Sequence, residues 1–293
     1  MAAAARRMRR YFRGDQLFFN LALLIISLIC LLPVVWVVSS SLKDRFELYM
    51  ATPSLIPRHP TLANYEWMLT RADMSRLPLN LWNSFQLAMG SVIVQCITAS
   101  MAGFAFARLD FRGRDLLFYL LIMLMFIPRA GGLMALYELM EFLHLRNTHI
   151  GLILWYPSAI SVALFIMRQN FLSVPRELEE AAIIDGAGTW RLFLNVDLPF
   201  VMGGVVVVAI FEFVYVWGEY LVALTMLDFP ELETVSIAVT KLRGWSAHFT
   251  SSVLAGYGAE CAAYTVAMLP VIIVFILMQR WFMRGLSEGI LKM

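Results

Sequence analysis

Long apolar runs alternate with short polar segments along the whole chain. Six runs are each long enough to cross a bilayer as a helix, which takes about 20 mostly apolar residues. They cover residues 17–42, 81–107, 115–139, 149–168, 198–226 and 262–283. The pattern therefore predicts an all-α membrane protein with six transmembrane helices.

The first and third runs have unusual features. Basic residues precede the first run, as in a signal peptide, but its apolar stretch exceeds the usual 7–15 residues and no clear cleavage site follows. We therefore expect an uncleaved first span. The third run is interrupted by the sequence PRAGG at residues 128–132, which predicts a kink because proline breaks the helical hydrogen-bond ladder.

The distribution of Lys and Arg between loops predicts the orientation. With the N-terminus inside, the inner segments hold fourteen basic residues and the outer segments eight, which agrees with the positive-inside rule. Both termini are then cytoplasmic. The predicted organisation is a cytoplasmic tail at 1–16, a first helix at 17–42, an extracytoplasmic loop at 43–80, a five-helix core at 81–283 with a cytoplasmic loop at 169–197, and a tail at 284–293.

The amino-acid composition agrees with a membrane protein and argues against nucleic-acid, metal and nucleotide binding by this chain. Only 15% of residues are charged and mean hydropathy is +0.73, whereas soluble domains carry about 25% charged residues. The net charge of +2 suggests no nucleic-acid surface. Three separated cysteines and four scattered histidines indicate no metal site. No lysine follows a glycine, so the chain lacks a P-loop. We expect no catalytic residue, no metal and no cofactor bound by this chain.

The segment ELEEAAIIDGAG, residues 177–188, is polar and lies between two apolar runs. Ser173 is a candidate N-cap for a helix that Asp185 and Gly186 end, since glycine can adopt the left-handed conformation there. Thr189 is a candidate cap for a second short helix. The sequence predicts helix, glycine turn and helix at the cytoplasmic membrane surface.

One narrow face of the first predicted helix carries small side chains. Leu178, Ala181, Ala182 and Asp185 recur at helical spacing, and such a face allows another surface to approach closely. A plain connection between two spans needs only a few residues. About thirty ordered-looking residues favour a docking element over a simple connecting loop.

The segment resembles the EAA loop of bacterial ABC-importer permeases. Seven residues occupy the positions of that motif: Glu180, Ala181, Ala182, Gly186, Val196, Leu198 and Pro199. Further stretches look like permeases of the maltose and glycerol-3-phosphate type; these are residues 60–69, 83–114, 145–154, 171–190 and 279–286. The resemblance covers about residues 15 to 288.

The resemblance implies a type I ABC importer permease fold in the bacterial inner membrane. It implies import of a sugar or related polyol by alternating access. The implied partners are a sister permease in a heterodimer, a cytoplasmic ATPase dimer that uses the ATP, an extracytoplasmic substrate-binding protein and membrane lipid, with no nucleic acid. The ATPase-coupling residues would be Glu180, Ala181, Ala182, Asp185, Gly186, Leu198 and Pro199.

Charged residues inside the spans are candidates for the translocation path, because charge is costly in a bilayer. Glu212 and Glu219 are seven residues apart and are predicted to share one helix face. Arg129 and Glu212 both lie roughly 20 Å along their spans from the inner side. We hypothesise that they pair; the alternative is that Arg129 faces a water-filled vestibule or the sister subunit.

Aromatic residues of the fifth run extend this candidate path. The full set is Arg129, Glu212, Tyr215, Trp217, Glu219 and Tyr220. The aromatic side chains could stack on sugar rings, although packing or an interfacial belt explains most of them better. The family usually has Asn where this chain has Gly218.

Two alternatives to an ABC permease stay open on sequence grounds. The first is a stand-alone transporter driven by an ion gradient, with Arg129, Glu212 and Glu219 as coupling residues. The second is a membrane scaffold that transports nothing, in which the intramembrane charges tolerate mutation. The first alternative does not account for the long polar segment at 169–199.

Overall fold

The computed structural model describes residues 2–48, 54–70, 76–248 and 257–290, and these residues contain helices and no strand. The α-helices in chain order are α1 Ala2–Ser41, α2 Arg45–Leu48, α3 Ala63–Thr70, α4 Leu77–Arg108, α5 Arg114–Met123, α6 Leu133–Phe142, α7 His149–Trp155, α8 Ile160–Leu172, α9 Arg176–Ile184, α10 Thr189–Leu192, α11 Leu198–Phe200, α12 Met202–Gly218, α13 Leu221–Met226, α14 Val235–His248 and α15 Tyr257–Ile290.

Within the described residues, three helical stretches are long and apolar enough to cross a membrane unbroken. They are Gln16–Ser41, Leu77–Arg108 and Tyr257–Trp281, which correspond to the first, second and sixth predicted runs. Two bent pairs bring the number to five if each pair is one span; these are His149–Ser158 with Ile160–Leu172, and Thr189–Phe200 with Met202–Gly218.

The third predicted run is not one helix. Helix α5 ends at Met123, a 3-10 turn covers Leu124–Phe126, and a second one covers Arg129–Gly132 before α6 begins. Pro128 has an extended backbone with ψ 119°. The interruption lies at the PRAGG sequence as predicted, but it is a break with two 3-10 turns rather than a kink in one helix. Pro128, which cannot donate a helical hydrogen bond, lies between the two turns.

The fifth predicted run is broken twice. A bend of 76° separates Thr189–Phe200 from Met202–Gly218, so the segment before Val201 cannot continue the axis of α12. Helix α12 ends at Gly218, and Glu219 is extended with ψ 130°. The prediction that Glu212 and Glu219 share one helix face is therefore wrong, because the helix stops between them.

The chain divides into two compact units. One contains residues 1–75 and 242–266, and the other contains residues 76–241 and 267–293. In the first unit, Trp36 Nε1 donates to the Tyr257 hydroxyl at 2.9 Å. The Asn64 amide donates to the carbonyls of Ser41 and Lys43 at 2.9 and 2.8 Å. These bonds fix the segment that follows α1.

In the second unit, α4 is the central helix and packs along α8 and α12. Gly103 permits the closest approach: a Cβ at this position would lie 2.6 Å from the Met167 Cβ and 3.0 Å from the Arg168 backbone nitrogen. Phe104, Met167 and Phe171 are buried beside this crossing. Helices packed this closely are expected to move together as one rigid unit.

The beginning of α4 holds the loop that precedes α14. The Asn80 and Asn83 amides donate to the Glu233 carbonyl at 2.9 and 3.0 Å, and the Ser84 hydroxyl accepts from the Val235 amide at 2.8 Å. These side chains are buried. The polar residues that begin the second apolar run thus satisfy the backbone of an adjacent loop, as buried polar groups generally require.

Candidate functional site

Helix α9 carries the first half of the polar segment, and it begins later than the sequence predicted. Its N-cap is Pro175, with ψ 133°. Ser173 instead ends α8, where its hydroxyl donates to the Asn170 carbonyl at 2.7 Å. The prediction that Ser173 caps α9 is wrong, because the hydroxyl bonds back to the preceding helix.

The end of α9 is built as predicted. Gly186 has φ +80° and lies just past the helix. Its amide donates to the Ile183 carbonyl at 2.9 Å, and the Ala187 amide donates to the Ala182 carbonyl at 2.9 Å. This pair of bonds is the Schellman motif, which depends on a left-handed residue at the glycine position. The sharp turn therefore rests on Gly186.

The second half of the segment is not a plain α-helix. Gly188, rather than Thr189, is the N-cap of α10, and Thr189 is its first helical residue. A π-helical turn then covers Phe193–Asp197 before α11. The predicted cap at Thr189 is wrong since Gly188 already supplies the extended backbone there, with ψ 171°. Single π turns within helices are frequent at functional sites.

Most of the predicted coupling residues lie on the surface of this segment. Glu180, Ala181, Asp185, Gly186 and Pro199 are exposed, and Ala182 and Leu198 are half-buried. None of the nine residues of α9 is buried. The segment thus presents a surface rather than filling a core.

Large apolar side chains on the same segment were missed by the sequence analysis. Ile184 is 85% exposed, Ile183 57% and Trp190 65%. A sequence signal was available, because these side chains stand within an otherwise polar stretch. Exposed apolar groups rimmed by polar ones are typical of a protein–protein contact surface.

An aromatic cluster joins the inner side of this segment to the helices of the core. Phe104 of α4 lies 5.1 Å from Phe193 of the π turn and 5.7 Å from Phe171 of α8, between ring centroids. All three rings are buried. Aromatic contacts at such distances stabilise packing by about 0.5–1.5 kcal/mol each beyond their buried area. The π turn is therefore packed firmly against α4 and α8.

Arg108, the last residue of α4, connects the core to α9. Its Nη2 donates to the Val174 carbonyl at 2.7 Å and forms an ion pair with Glu179 Oε1 at 2.5 Å. The Arg108 and Glu179 side chains are only 7% and 13% exposed. Burial raises the pKa of the Glu179 carboxyl and outweighs the lowering by Arg108.

Asp197 is buried where the π turn meets the fifth span. Its exposed fraction is 0%, and within the described part of the chain neither carboxylate oxygen has a hydrogen-bond partner. Burial, together with the nearby Glu179 charge, raises the pKa of this carboxyl to about 6, although Arg108 opposes the rise. Nothing in the local sequence distinguishes Asp197, so its burial could not be predicted.

A second feature of the same unit is a cavity of about 610 Å³ between the broken helices. Its polar lining includes Gln95 of α4 together with Glu212 and Tyr215 of α12. The Gln95 side chain is 2% exposed, and among the described residues its Oε1 has no hydrogen-bond partner. Gln95 is not among the predicted path residues, although a glutamine in the middle of an apolar span is itself a signal.

The remaining predicted path residues have different surroundings. Glu219 caps α13: its carboxylate accepts from the Val222 and Ala223 amides at 2.8 and 3.0 Å, and from the Tyr156 hydroxyl at 2.9 Å. Trp217 is buried, and its Nε1 donates to the Ala267 carbonyl at 3.0 Å.

Two further predictions about the path stay open. Tyr220 is half-buried and precedes α13. The Arg129 side chain lies outside the described residues, so its pairing with Glu212 stays a prediction. Among the residues that the structure describes, no group of His, Cys, Asp or Glu side chains could hold a metal ion.

Comparison with known proteins places these features in a family. Residues 97–288 match the family described as binding-protein-dependent transport system inner membrane component. The diacetylchitobiose uptake system permease protein NgcG of Streptomyces coelicolor is 32% identical over 92% of this chain and 86% of that protein. The sulfoquinovosyl glycerol transport system permease protein SmoH of Agrobacterium fabrum is 33% identical over 99% of this chain and 98% of that protein.

A solved structure has the same fold. A chain of a bacterial ABC transporter involved in the import of the acidic polysaccharide alginate superposes with a TM-score of 0.77. The match covers 92% of this chain and 98% of that chain at 20% identity. At this identity the likeness establishes the fold alone.

Proposed function

This chain belongs to the family of binding-protein-dependent transport system inner membrane components, and from that premise we propose that it is one of two permease subunits of an ATP-driven importer. Its relatives are permeases of carbohydrate ABC transporters. We infer that its substrate is a sugar or related polyol, imported across the bacterial inner membrane.

The observation that carries this proposal is the exposed surface of α9 and its Schellman turn. Glu180, Ala181 and Asp185 lie on it beside the apolar Ile183 and Ile184. A surface with small residues, a sharp turn and exposed apolar groups suits insertion into a cleft of another protein. In our proposal that protein is a cytoplasmic ATPase, present as a dimer, and α9 is the coupling helix.

The arrangement also supports transmission of movement from the coupling helix to the membrane core. A displacement of α9 would be transmitted to α4 through the Arg108–Glu179 ion pair. A displacement of the π turn would be transmitted to α4 through the Phe104–Phe193 contact. Closely packed helices move together as a rigid unit, because protein interiors have low compressibility. Nucleotide-driven closure of the ATPase dimer would in this way switch the core between inward-facing and outward-facing states.

The cavity that contains Glu212 is the proposed part of the translocation path. Gln95 and Glu212 offer polar groups for hydroxyls, and Tyr215, which is 40% exposed, offers an aromatic face. We also propose Arg129 as a residue of the translocation path, because it is a charged residue in the interruption of the third apolar run. Trp217 and Glu219 have structural contacts that account for them, and Tyr220, which is half-buried, stays part of the proposal.

The remaining partners follow from the family. The sister permease would complete the path as a heterodimer, and an extracytoplasmic binding protein would deliver the substrate. One structural neighbour is an alginate ABC transporter in complex with a periplasmic protein that carries an alginate pentasaccharide; the corresponding partner of this chain is our proposal.

The test is to purify the chain gently from its native membrane and identify the proteins that accompany it. The proposal expects a second permease and an ATPase, and expects sugar uptake into liposomes only when all subunits and ATP are present. Uptake by this chain alone, driven by an ion gradient, would contradict the proposal and support an ion-coupled transporter.

A further inference from the structure

Arg108, Glu179 and Asp197 form a group of one cation and two carboxyls, largely covered from solvent, which we call the Arg108 cluster. Arg108 and Glu179 pair directly, and the charges of both act on Asp197. Asp197 is fully buried and receives no hydrogen bond from any described residue. One guanidinium neutralises one carboxylate, so an ionised Asp197 leaves the cluster with an uncompensated negative charge, which is costly in a buried site.

The location of the cluster gives this charge a mechanical consequence. Arg108 ends α4, Glu179 lies on α9, and Asp197 ends the π turn that leads into the fifth span. The cluster therefore connects the central helix to both halves of the coupling segment. Any outward movement of α9 from α4 must separate Arg108 from Glu179, and it would give Asp197 access to water.

We propose that the Arg108 cluster is a proton-operated latch on the coupling helix, with Asp197 as the group that takes up the proton. With Asp197 protonated the cluster is neutral and α9 is held against α4. With Asp197 ionised the second negative charge weakens the latch, and α9 is freer to follow the ATPase. This inference rests on the proposed coupling function of α9.

The sign and range of the effect follow from the environment of Asp197. Its pKa rises from 3.8 to about 6 through burial and Glu179, against the opposing charge of Arg108. On the other packed elements, Arg176 of α9 acts on Glu179, and Arg191 of α10 is exposed. A raised carboxyl pKa stabilises the buried state at low pH, and this stabilisation is lost as pH rises from about 4 to about 6. Acidification of the cytoplasm would thus tighten the latch.

The experiment measures ATP hydrolysis by the complete importer in lipid nanodiscs, normalised to the isolated ATPase at each pH. Between about pH 7.5 and about pH 5, tightening of the latch should slow the wild-type complex by up to about tenfold. Asp197→Asn, which imitates the protonated carboxyl, should hydrolyse ATP slowly at both pH values and show no such step. Asp110→Asn is the matched control, because Asp110 is an exposed carboxylate that follows α4; it should retain the wild-type step.

A second variant keeps the test decisive if Asp197→Asn fails to assemble. Glu179→Gln removes the ion-pair partner of Arg108 together with a charge that raises the pKa of Asp197, so the slowing of ATP hydrolysis at low pH should be lost. A step that persists in Asp197→Asn or in Glu179→Gln would overturn the latch. Failure of the proposed function looks different, because the wild-type chain would then bind no ATPase at any pH.

Discussion

Arg108 at the end of α4 and Glu179 on α9 are joined by an ion pair of 2.5 Å whose side chains are only 7% and 13% exposed, and this pair connects the proposed coupling segment to the central helix of the core. Removing one partner of a buried pair leaves an uncompensated charge and costs about 3–5 kcal/mol. Arg108→Ala should therefore lower the thermal stability of the complex and reduce ATP-driven uptake. Exchange of the two residues, Arg108→Glu with Glu179→Arg, should recover part of both losses.

The control for this prediction is Arg114, the first residue of α5, which lies six residues after Arg108. Arg114 pairs with Asp110 and Asp115, whose side chains are 96% and 69% exposed. Exposed pairs contribute about 0–1 kcal/mol. Arg114→Ala should therefore leave thermal stability nearly unchanged, and equal effects of the two alanine variants would contradict the structural role given to Arg108.

The close crossing of α4 and α8 predicts intolerance at Gly103. An added Cβ would meet the Met167 Cβ at 2.6 Å, and forced overpacking costs about 1–3 kcal/mol. Gly103→Ala should thus lower the unfolding temperature of the complex. Gly218→Ala is the matched control, since a Cβ there meets nothing within 4 Å, and it should have little effect.

Glu219 is predicted to act through stability rather than through substrate contact. It accepts two amide hydrogen bonds from α13 and one from Tyr156. Hydrogen bonds to a charged group contribute about 1.5–3 kcal/mol, so Glu219→Ala should destabilise the complex more than Tyr156→Phe. The measurement pairs thermal unfolding with substrate affinity; an affinity loss without destabilisation would return Glu219 to the translocation path.

The hypothesised Arg129–Glu212 pair predicts a charge-exchange result. Arg129→Glu and Glu212→Arg should each abolish sugar uptake, because a buried charge loses its partner. The double exchange should restore uptake if the two side chains form a pair. A double variant that assembles with its partners and stays inactive would instead place Arg129 against water or the sister subunit.

Features encoded by local chemistry could be predicted from the sequence. The first, second and sixth spans are unbroken apolar runs, and they form continuous helices. The turn at Gly186 depends on one residue that tolerates a positive φ, and that residue is visible in the sequence. The exposure of the proposed coupling residues follows from the polarity of their segment.

Features that depend on tertiary contacts could not be predicted in this way. The break after Gly218 is accompanied by the capping of α13 by Glu219, which the apolar run conceals. Ser173 is predicted to cap the wrong helix, because a serine hydroxyl can bond to the helix before it or to the helix after it. Arg108 pairs with Glu179, and the Glu179 charge acts on Asp197. These interactions could not be predicted because Glu179 is distant from both residues along the chain.

The central claim is that α9 and its glycine turn couple this chain to an ATPase. The most direct measurement compares Gly186→Val with Gly188→Val in the reconstituted importer, recording ATPase binding and ATP-driven uptake. Both glycines have open space around them, but only Gly186 has a positive φ, where a β-branched residue is strongly disfavoured. The account predicts that Gly186→Val loses ATPase binding and uptake while Gly188→Val retains most of both. Full binding and uptake by Gly186→Val would contradict it.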